Sequence, residues 1–151
     1  DLEIKGARII KVIGKEHGKI ITKTVTISDH QPFQGVNHKI EFDINSYSVR
    51  PDSYSLLDQI GWEIEKALTG GELTGKHIVI IGHTDSDENE TKNLNLSLDR
   101  ALSVRSYLTS NSSIPSAQIR AIGYGDSVPL VPNTSNANKQ LNRRVEIVTM
   151  P

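Results

Sequence analysis

Residues 77–85 read His77-Ile78-Val79-Ile80-Ile81-Gly82-His83-Thr84-Asp85. Ile78 to Ile81 is an unbroken apolar, β-branched run of strand length, which suits a strand covered on both faces at the centre of a sheet. It is the longest hydrophobic run in the chain and far short of the roughly 18 apolar residues a membrane span requires. Polar residues follow at once, and open α/β sheets tend to place ligands at the carboxyl ends of their strands. Gly82-His83-Thr84-Asp85 is therefore the first place to look for chemistry.

Upstream of this strand, Ile40, Phe42 and Ile44 alternate with Glu41, Asp43 and Asn45, the period of a half-buried strand that Asn45 would close. Pro51 then sits at a plausible first helical position. Leu57, Ile60, Ile64 and Leu68 recur at spacings of three and four, with Gly70-Gly71 as the stop, so an amphipathic helix is expected. Downstream, Leu94, Leu98, Ala101, Val104 and Leu108 trace a second helical stripe ending near Asn111, with Asn93 expected to open it. Ile119–Ile122 and Arg144–Val148 read as two further strands, separated by a Gly- and Asn-rich stretch containing Gly123-Tyr124-Gly125 and Pro129. Alternation of this kind favours an α/β or α+β sandwich with helices on one face and right-handed crossovers.

The N-terminal part differs. Ile9 to Ile27 alternates β-branched with charged residues around Gly14-Lys15-Glu16-His17-Gly18 and reads as a β-hairpin. Ser28 to Asn37 has no periodicity and reads as a linker, so residues 1–36 are expected to form a hairpin and linker and 37–151 the main domain. An edge hairpin rich in Ile, Val and Thr can add to another sheet or pair with itself, which keeps a homodimer or a protein partner open. The chain begins at Asp1 without a charged-then-apolar leader, as a processed piece of a longer protein would, and any membrane attachment would lie outside it.

Composition narrows the function classes. The 151 residues carry seventeen Lys and Arg against eighteen Asp and Glu, a formal net charge of -1. That lacks the basic excess that drives binding to a phosphate backbone, so no nucleic-acid partner is expected. The absence of cysteine forbids thiol catalysis, iron–sulfur clusters and Cys-ligated zinc. Asp85-x-Asp87-x-Asn89 resembles the opening of a calcium loop, but Glu90 stands where the sharp turn needs Gly and Leu96 where a bidentate Glu should close the shell. A looser, weak cation site among those carboxylates stays open. His83 lacks a second close His for zinc, and Ser86 or Ser97 near it matches no nucleophile–base spacing. No cofactor, resident metal or catalytic residue is expected.

Asp85 and Arg100 remain. Arg100 falls on the flank of the second helix beside its apolar stripe, so a carboxylate and a guanidinium can face one cleft. Such a pair fits a zwitterion, with Asp accepting from an ammonium and the Arg fork holding a carboxylate. The alternative is that Asp85 fixes a turn and Arg100 is a solvated helix charge, or pairs with Asp99 or Glu90.

The segments Phe42-Asp43-Ile44-Asn45-Ser46, Gly82-His83-Thr84-Asp85, Asn93, Leu96-Ser97, Arg100-Ala101, Gly123-Tyr124-Gly125 and Asn142-Arg143-Arg144-Val145-Glu146-Ile147, in this order and spacing, resemble the OmpA-like peptidoglycan-binding domain from about Ile40 to Val148. The resemblance implies a mixed β-α-β-α-β-β sheet with helices on one face, here with an N-terminal hairpin extension. It implies a domain without catalysis, in the periplasm of a Gram-negative bacterium, that binds peptidoglycan noncovalently through the diaminopimelate of the stem peptide. It implies that Asp85 and Arg100 are the paired ligand contacts, with Asn45, Asn93 and Arg143 lining the same pocket and Thr84 adding a hydroxyl. Residue by residue the alternatives are that Asn45 ends a strand, Asn93 caps a helix and Arg143 is a surface cation.

Two positions depart from the family pattern. Glu88 stands where a Gly is common, within an acidic run from Asp85 to Glu90, and Asn138-Lys139 stand where Gly-Arg is common. The added acid is expected to disfavour carboxylate-bearing stem peptides relative to amidated ones.

Overall fold

The computed structural model describes residues 9–26, 31–35 and 38–151. Its elements in chain order are β1 (Ile9–Glu16), β2 (Lys19–Thr26), β3 (Gln31–Pro32), β4 (Lys39–Glu41), α1 (Tyr54–Thr69), β5 (His77–Gly82), α2 (Glu90–Ser110), β6 (Ile119–Gly123), α3 (Asn136–Asn142) and β7 (Arg144–Met150). The strands form one mixed seven-stranded sheet in the order β2-β1-β6-β5-β7-β3, with β4 also paired to β7. The continuous apolar run does lie inside the sheet: β5 pairs parallel with β6 and antiparallel with β7. β3 and β4 share the outer edge of β7, at Val148–Thr149 and at Arg144–Glu146.

Both helical stripes are seated as their periodicity requires. Leu57, Ile60 and Ile64 of α1 and Ala101, Val104 and Leu108 of α2 pack with Ile78 and Ile80 of β5 and Val145 and Ile147 of β7 on one face of the sheet. The opposite face carries a smaller cluster in which Val79 and Ile81 meet Ile10, Val12, Tyr124 and Val148. Alternate residues of β5 are therefore buried on both faces, as a continuous apolar strand demands.

The sharpest constraint lies between α2 and the sheet. Gly82 and Gly123 are register partners on β5 and β6. A Cβ at Gly82 would stand 1.8 Å from the Ser97 carbonyl oxygen, and one at Gly123 would stand 2.3 Å from Ser97 Oγ and 2.6 Å from the Leu98 nitrogen. Only bare backbone allows the helix so close. The Ser97 hydroxyl donates to the Leu94 carbonyl at 2.7 Å and accepts from the Gly125 N–H at 2.9 Å, which satisfies the one polar group trapped in the contact.

The structure corrects four readings. The strand ending in Asn45 stops at Glu41; Phe42 is buried, but Ile44 is 69% exposed, because the chain turns with the Ser46 N–H donating to the Asp43 carbonyl. Asn89, not Asn93, caps α2, its side chain accepting from the Lys92 N–H at 2.8 Å. Part of the unpatterned stretch is structured: Gln31-Pro32 pairs with β7 at a sheet edge, where Pro is tolerated, and Phe33 is buried in the core. The stretch between β6 and β7 contains a short helix, α3, capped by Ser135. The hairpin is present as β1 and β2, joined to the sheet through β6. Residues 27–30 and 36–37, and with them the expected hairpin end at Ile27 and domain start at Asn37, lie outside the described residues.

The Gly82 contact yields the first prediction. Gly82→Ala and Gly123→Ala should each cost about 3 kcal/mol or more, or prevent folding, since overpacking here drives a side chain into backbone. Gly14→Ala, whose Cβ would meet nothing nearer than 3.8 Å, should cost under about 1 kcal/mol. Urea denaturation of the three variants checks both statements.

Candidate functional site

Three backbone segments and two helices converge beyond the carboxyl end of β5. Past Gly82 the chain stays extended because the His83 N–H donates to the Arg144 carbonyl at 2.8 Å and the Thr84 N–H to the Gly125 carbonyl at 2.9 Å. His83, Thr84 and Asp85 are all buried. The Asp85 carboxylate then accepts from the Asp87 N–H at 3.0 Å, an Asx turn that reverses the chain toward Asn89 and α2.

Arg100, three helical turns along α2, has no exposure at all. Its Nε donates to the Ser46 carbonyl at 2.8 Å, Nη1 to the His83 carbonyl at 3.0 Å and Nη2 to the Asp43 carbonyl at 3.0 Å. Its guanidinium lies 5.4 Å from the centre of the Phe42 ring. It is neither a solvated helix charge nor a partner of Asp99 or Glu90. It clamps the 43–46 turn onto the end of β5 and holds Asn45 in the left-handed region at φ 55, which Asn tolerates. Among the described residues no carboxylate lies within the 4.0 Å of an ion pair with Arg100. Burial first, and then the nearby positive charge of Arg143, pull its pKa down, Asp85 only partly offsets them, and the net value is about 10. It stays cationic at neutral pH.

Asp85 pairs instead with Arg143, Nη1 to Oδ2 at 2.8 Å, both side chains about nine-tenths buried. Arg143 also donates from Nε to the Phe42 carbonyl at 3.2 Å and from Nη2 to Gln140 Oε1 at 2.6 Å. It is not a surface cation. Asn93 is buried inside α2, the helix it was expected to cap, and donates to the Glu88 carbonyl at 2.9 Å, bracing the loop that precedes the helix. The Thr84 hydroxyl is buried with no hydrogen-bond partner among the described residues. Asn45, Thr84, Asp85, Asn93, Arg100 and Arg143, together with Ile44, Asp87, Glu88 and Leu96, line one cleft of about 120 Å³. Two cations against one carboxylate leave its buried side chains with a net positive charge, and Arg100 with two of its five N–H donors uncommitted.

The acidic run is balanced by cations from other elements. Asp87 pairs with Lys139 at 2.9 Å, Glu88 with Lys92 at 3.4 Å and Glu90 with Lys11 at 3.1 Å. With Asp85 on Arg143, each of the four carboxylates faces its own cation, which removes the basis for expecting the loop to repel a carboxylate ligand. Among the described residues no group of three or more His, Asp or Glu is arranged to hold a metal ion. Gln140 carries no signal in the sequence, and Lys139 is marked there only as standing where Arg is common in the family; only the cap at Ser135 could have announced the helix that bears them.

The sequence profile of the OmpA family matches residues 41–143, about two thirds of the chain. The chain belongs to the OmpA family. It is 33% identical over 107 residues to outer membrane porin F of Pseudomonas fluorescens, covering 71% of this chain and 31% of the porin, so the chain spans about a third of that relative's length. The peptidoglycan-associated lipoprotein of Burkholderia pseudomallei superposes with a TM-score of 0.66 at 29% identity, covering 74% of this chain and 89% of the lipoprotein. The C-terminal domain of Helicobacter pylori MotB gives 0.65 at 27%, covering 76% and 84%. Membership places the chain among binding and structural domains rather than enzymes.

Behind this OmpA-family cleft lies a second polar cluster on the other face of the sheet. His83 Nε2 sits 2.8 Å from Glu146 Oε1, and Arg144 Nη2 reaches the same oxygen at 3.4 Å while donating to the Val128 carbonyl at 3.0 Å. Burial alone would raise the Glu146 pKa, but the hydrogen bond and charge of His83, with Arg144, outweigh it and hold the carboxyl at about 2. A folded-state pKa below the ordinary value of 4.5 gives stability that is complete above pH 4.5 and is lost as the pH falls toward 2. The stability advantage of the native chain over Glu146→Gln should therefore shrink by about 2–3 kcal/mol between pH 6 and pH 2.5. Denaturant titrations of both proteins at the two pH values measure it.

Proposed function

We propose that this cleft binds peptidoglycan noncovalently through the diaminopimelate of its stem peptide, and so tethers a membrane-anchored protein to the cell wall from the periplasmic side. One observation carries the reading: among the described residues a fully buried guanidinium, Arg100, has no carboxylate partner, and it faces a cleft in which a buried hydroxyl, Thr84, has no hydrogen-bond partner. A buried cation and a buried hydroxyl left unmatched each cost free energy, and a ligand carboxylate supplies the acceptor both lack. Asp85, oriented by Arg143, keeps lone pairs for an ammonium. Diaminopimelate presents both groups on one carbon. The peptidoglycan-associated lipoprotein from Burkholderia pseudomallei, alike in fold, supports the same ligand class.

In this reading the roles shift from those expected of an Asp85–Arg100 pair. Arg143 neutralises and aims Asp85, while Arg100 both builds the cleft and offers its two remaining N–H groups. Asn45 and Asn93 act at the rim and base of the same cleft, the first through its left-handed turn and the second by bracing the Glu88 carbonyl.

Arg100→Ala is a poor probe because it would strand three carbonyls. Arg100→Lys keeps the charge and loses the fork, and should weaken stem-peptide binding roughly 10–150-fold. Thr84→Val is the cleaner test. It removes an unsatisfied hydroxyl at nearly constant shape, so the melting temperature should hold or rise while affinity falls about 3–10-fold. Titration of diaminopimelate and a stem peptide into ¹⁵N-labelled protein reads both variants; unchanged affinity in both, or no saturable shifts at Thr84, Asp85 and Asn93 in folded protein, would contradict the proposal.

A further inference from the structure

The ladder between β1 and β6 ends after two residue pairs, Ile13↔Gly123 and Gly14↔Ile122, although β1 stays paired with β2 to its last residue, Glu16↔Lys19. Continued in the same register, Lys15 would face Ala121 and Glu16 would face Arg120. Instead the hairpin tip diverges, and a cleft of about 720 Å³ opens between the two strands. It lies at the opposite end of β6 from the ligand cleft, since Gly123 at the other end of β6 touches Ser97. One wall is the edge of β6 at Arg120 and Ala121, beyond the Ile119 carbonyl that Arg105 Nε already occupies at 2.9 Å, and the other is the end of β1, neither with a strand partner on that side among the described residues.

Charge and polarity describe the occupant. Lys15, Lys23, Arg105 and Arg120 line the cleft against one carboxylate, Glu16, a net excess of three positive charges on a chain whose overall charge is -1. Glu16 is already paired with Lys23 at 2.8 Å. Lys15, Arg105 and Arg120 have no carboxylate within 4.0 Å among the described residues, Asp99 on α2 lying beyond ion-pair reach of Lys15; Arg105 donates from Nε and Nη2 to the Ile119 and Ser116 carbonyls, both at 2.9 Å, which leaves its Nη1 for a ligand. Between the cations the lining is apolar, with Val12, Val25, Leu102 and Ile122. A strand at ordinary sheet spacings takes roughly 160 Å³ per residue, so the space admits about four residues of extended chain. A second copy of this chain is a poor occupant: β2, the edge strand beside β1 among the described residues, reads Lys-Ile-Ile-Thr-Lys-Thr-Val-Thr and brings two more cations and no acid.

We propose that the cleft between β1 and β6 is a docking site for an extended acidic segment of a partner protein, which adds as a strand and alternates acidic with apolar side chains. The strand edges take its backbone, Lys15, Arg105 and Arg120 its carboxylates, and the valine-lined surface its apolar residues. A nucleic acid or an anionic lipid would satisfy the charge but leave both edges without backbone partners.

The probe is a short acetylated peptide alternating Glu with Val, titrated by fluorescence anisotropy and by amide shifts in ¹⁵N-labelled protein. Controls are the same peptide with Pro at alternate positions, a Lys–Val counterpart and a single-stranded oligothymidine. Expected are a dissociation constant below about 1 mM and shifts over residues 15–18 and 119–121, with binding at least about tenfold weaker for the Pro and Lys peptides and for the protein variants Arg120→Glu and Lys15→Glu. Both variants change exposed side chains, so the fold should survive, and circular dichroism confirms it. No saturable binding at about 1 mM overturns the proposal. So does a Pro-substituted peptide or an oligothymidine that binds as well, because the cleft would then recognise charge without a strand.

Discussion

The rest of the site depends on the contact between the α2 backbone at Ser97 and the bare backbone of Gly82 and Gly123. Two adjacent glycines in neighbouring strands leave a shallow seat in the sheet, and a helix that occupies it gains contact along its whole apolar stripe. The seat also sets the helix's height and rotation. Three residues beyond Ser97, the Arg100 side chain then emerges under the 43–46 turn and beside the end of β5, where three carbonyls await it. A larger residue at either glycine would lift α2 and withdraw Arg100 from all three.

Electrostatics then decides what the assembled cleft can do. Burying a guanidinium is tolerable because carbonyl dipoles and the Phe42 ring face it, yet these leave its net charge in place. Arg143 adds a second cation and spends it on Asp85. The outcome is a small cavity with fixed donors, one oriented carboxylate and a surplus of positive charge, built on a rigid sheet end and held by helices on either side. The surrounding loop does not cancel that surplus, because its remaining acids are each matched to a lysine.

The elements legible in the sequence are those whose burial repeats with a period. Ile78–Ile81 suited an interior strand by its length and β-branching, and Leu57, Ile60 and Ile64 suited one face of a helix, because burial that recurs along an element leaves a pattern. Single tertiary events leave none. Ile44 continues an alternation that Arg100 interrupts by capturing the carbonyls on either side of it. Asn89 and Asn93 are equally good caps by type, and the Asx turn at Asp85 decides between them by where it delivers the chain. α3 is seven residues long with one fully buried position, Asn142, too few for any periodicity. The family resemblance brought the six candidate residues to one place, and the structure does gather them; their partners were not legible, since an arginine flanking an apolar stripe has the same spacing whether it meets water or three carbonyls.

The central claim, that Arg100 is a buried cation awaiting a carboxylate, is tested most directly by a crystal structure of the protein with diaminopimelate. The account predicts the ligand carboxylate within hydrogen-bond distance of Arg100 Nη and Thr84 Oγ1, its ammonium on Asp85, and the three carbonyl contacts of Arg100 unchanged. A ligand bound elsewhere, or an ordered ligand in the cleft whose carboxylate contacts neither Arg100 nor Thr84, would contradict it.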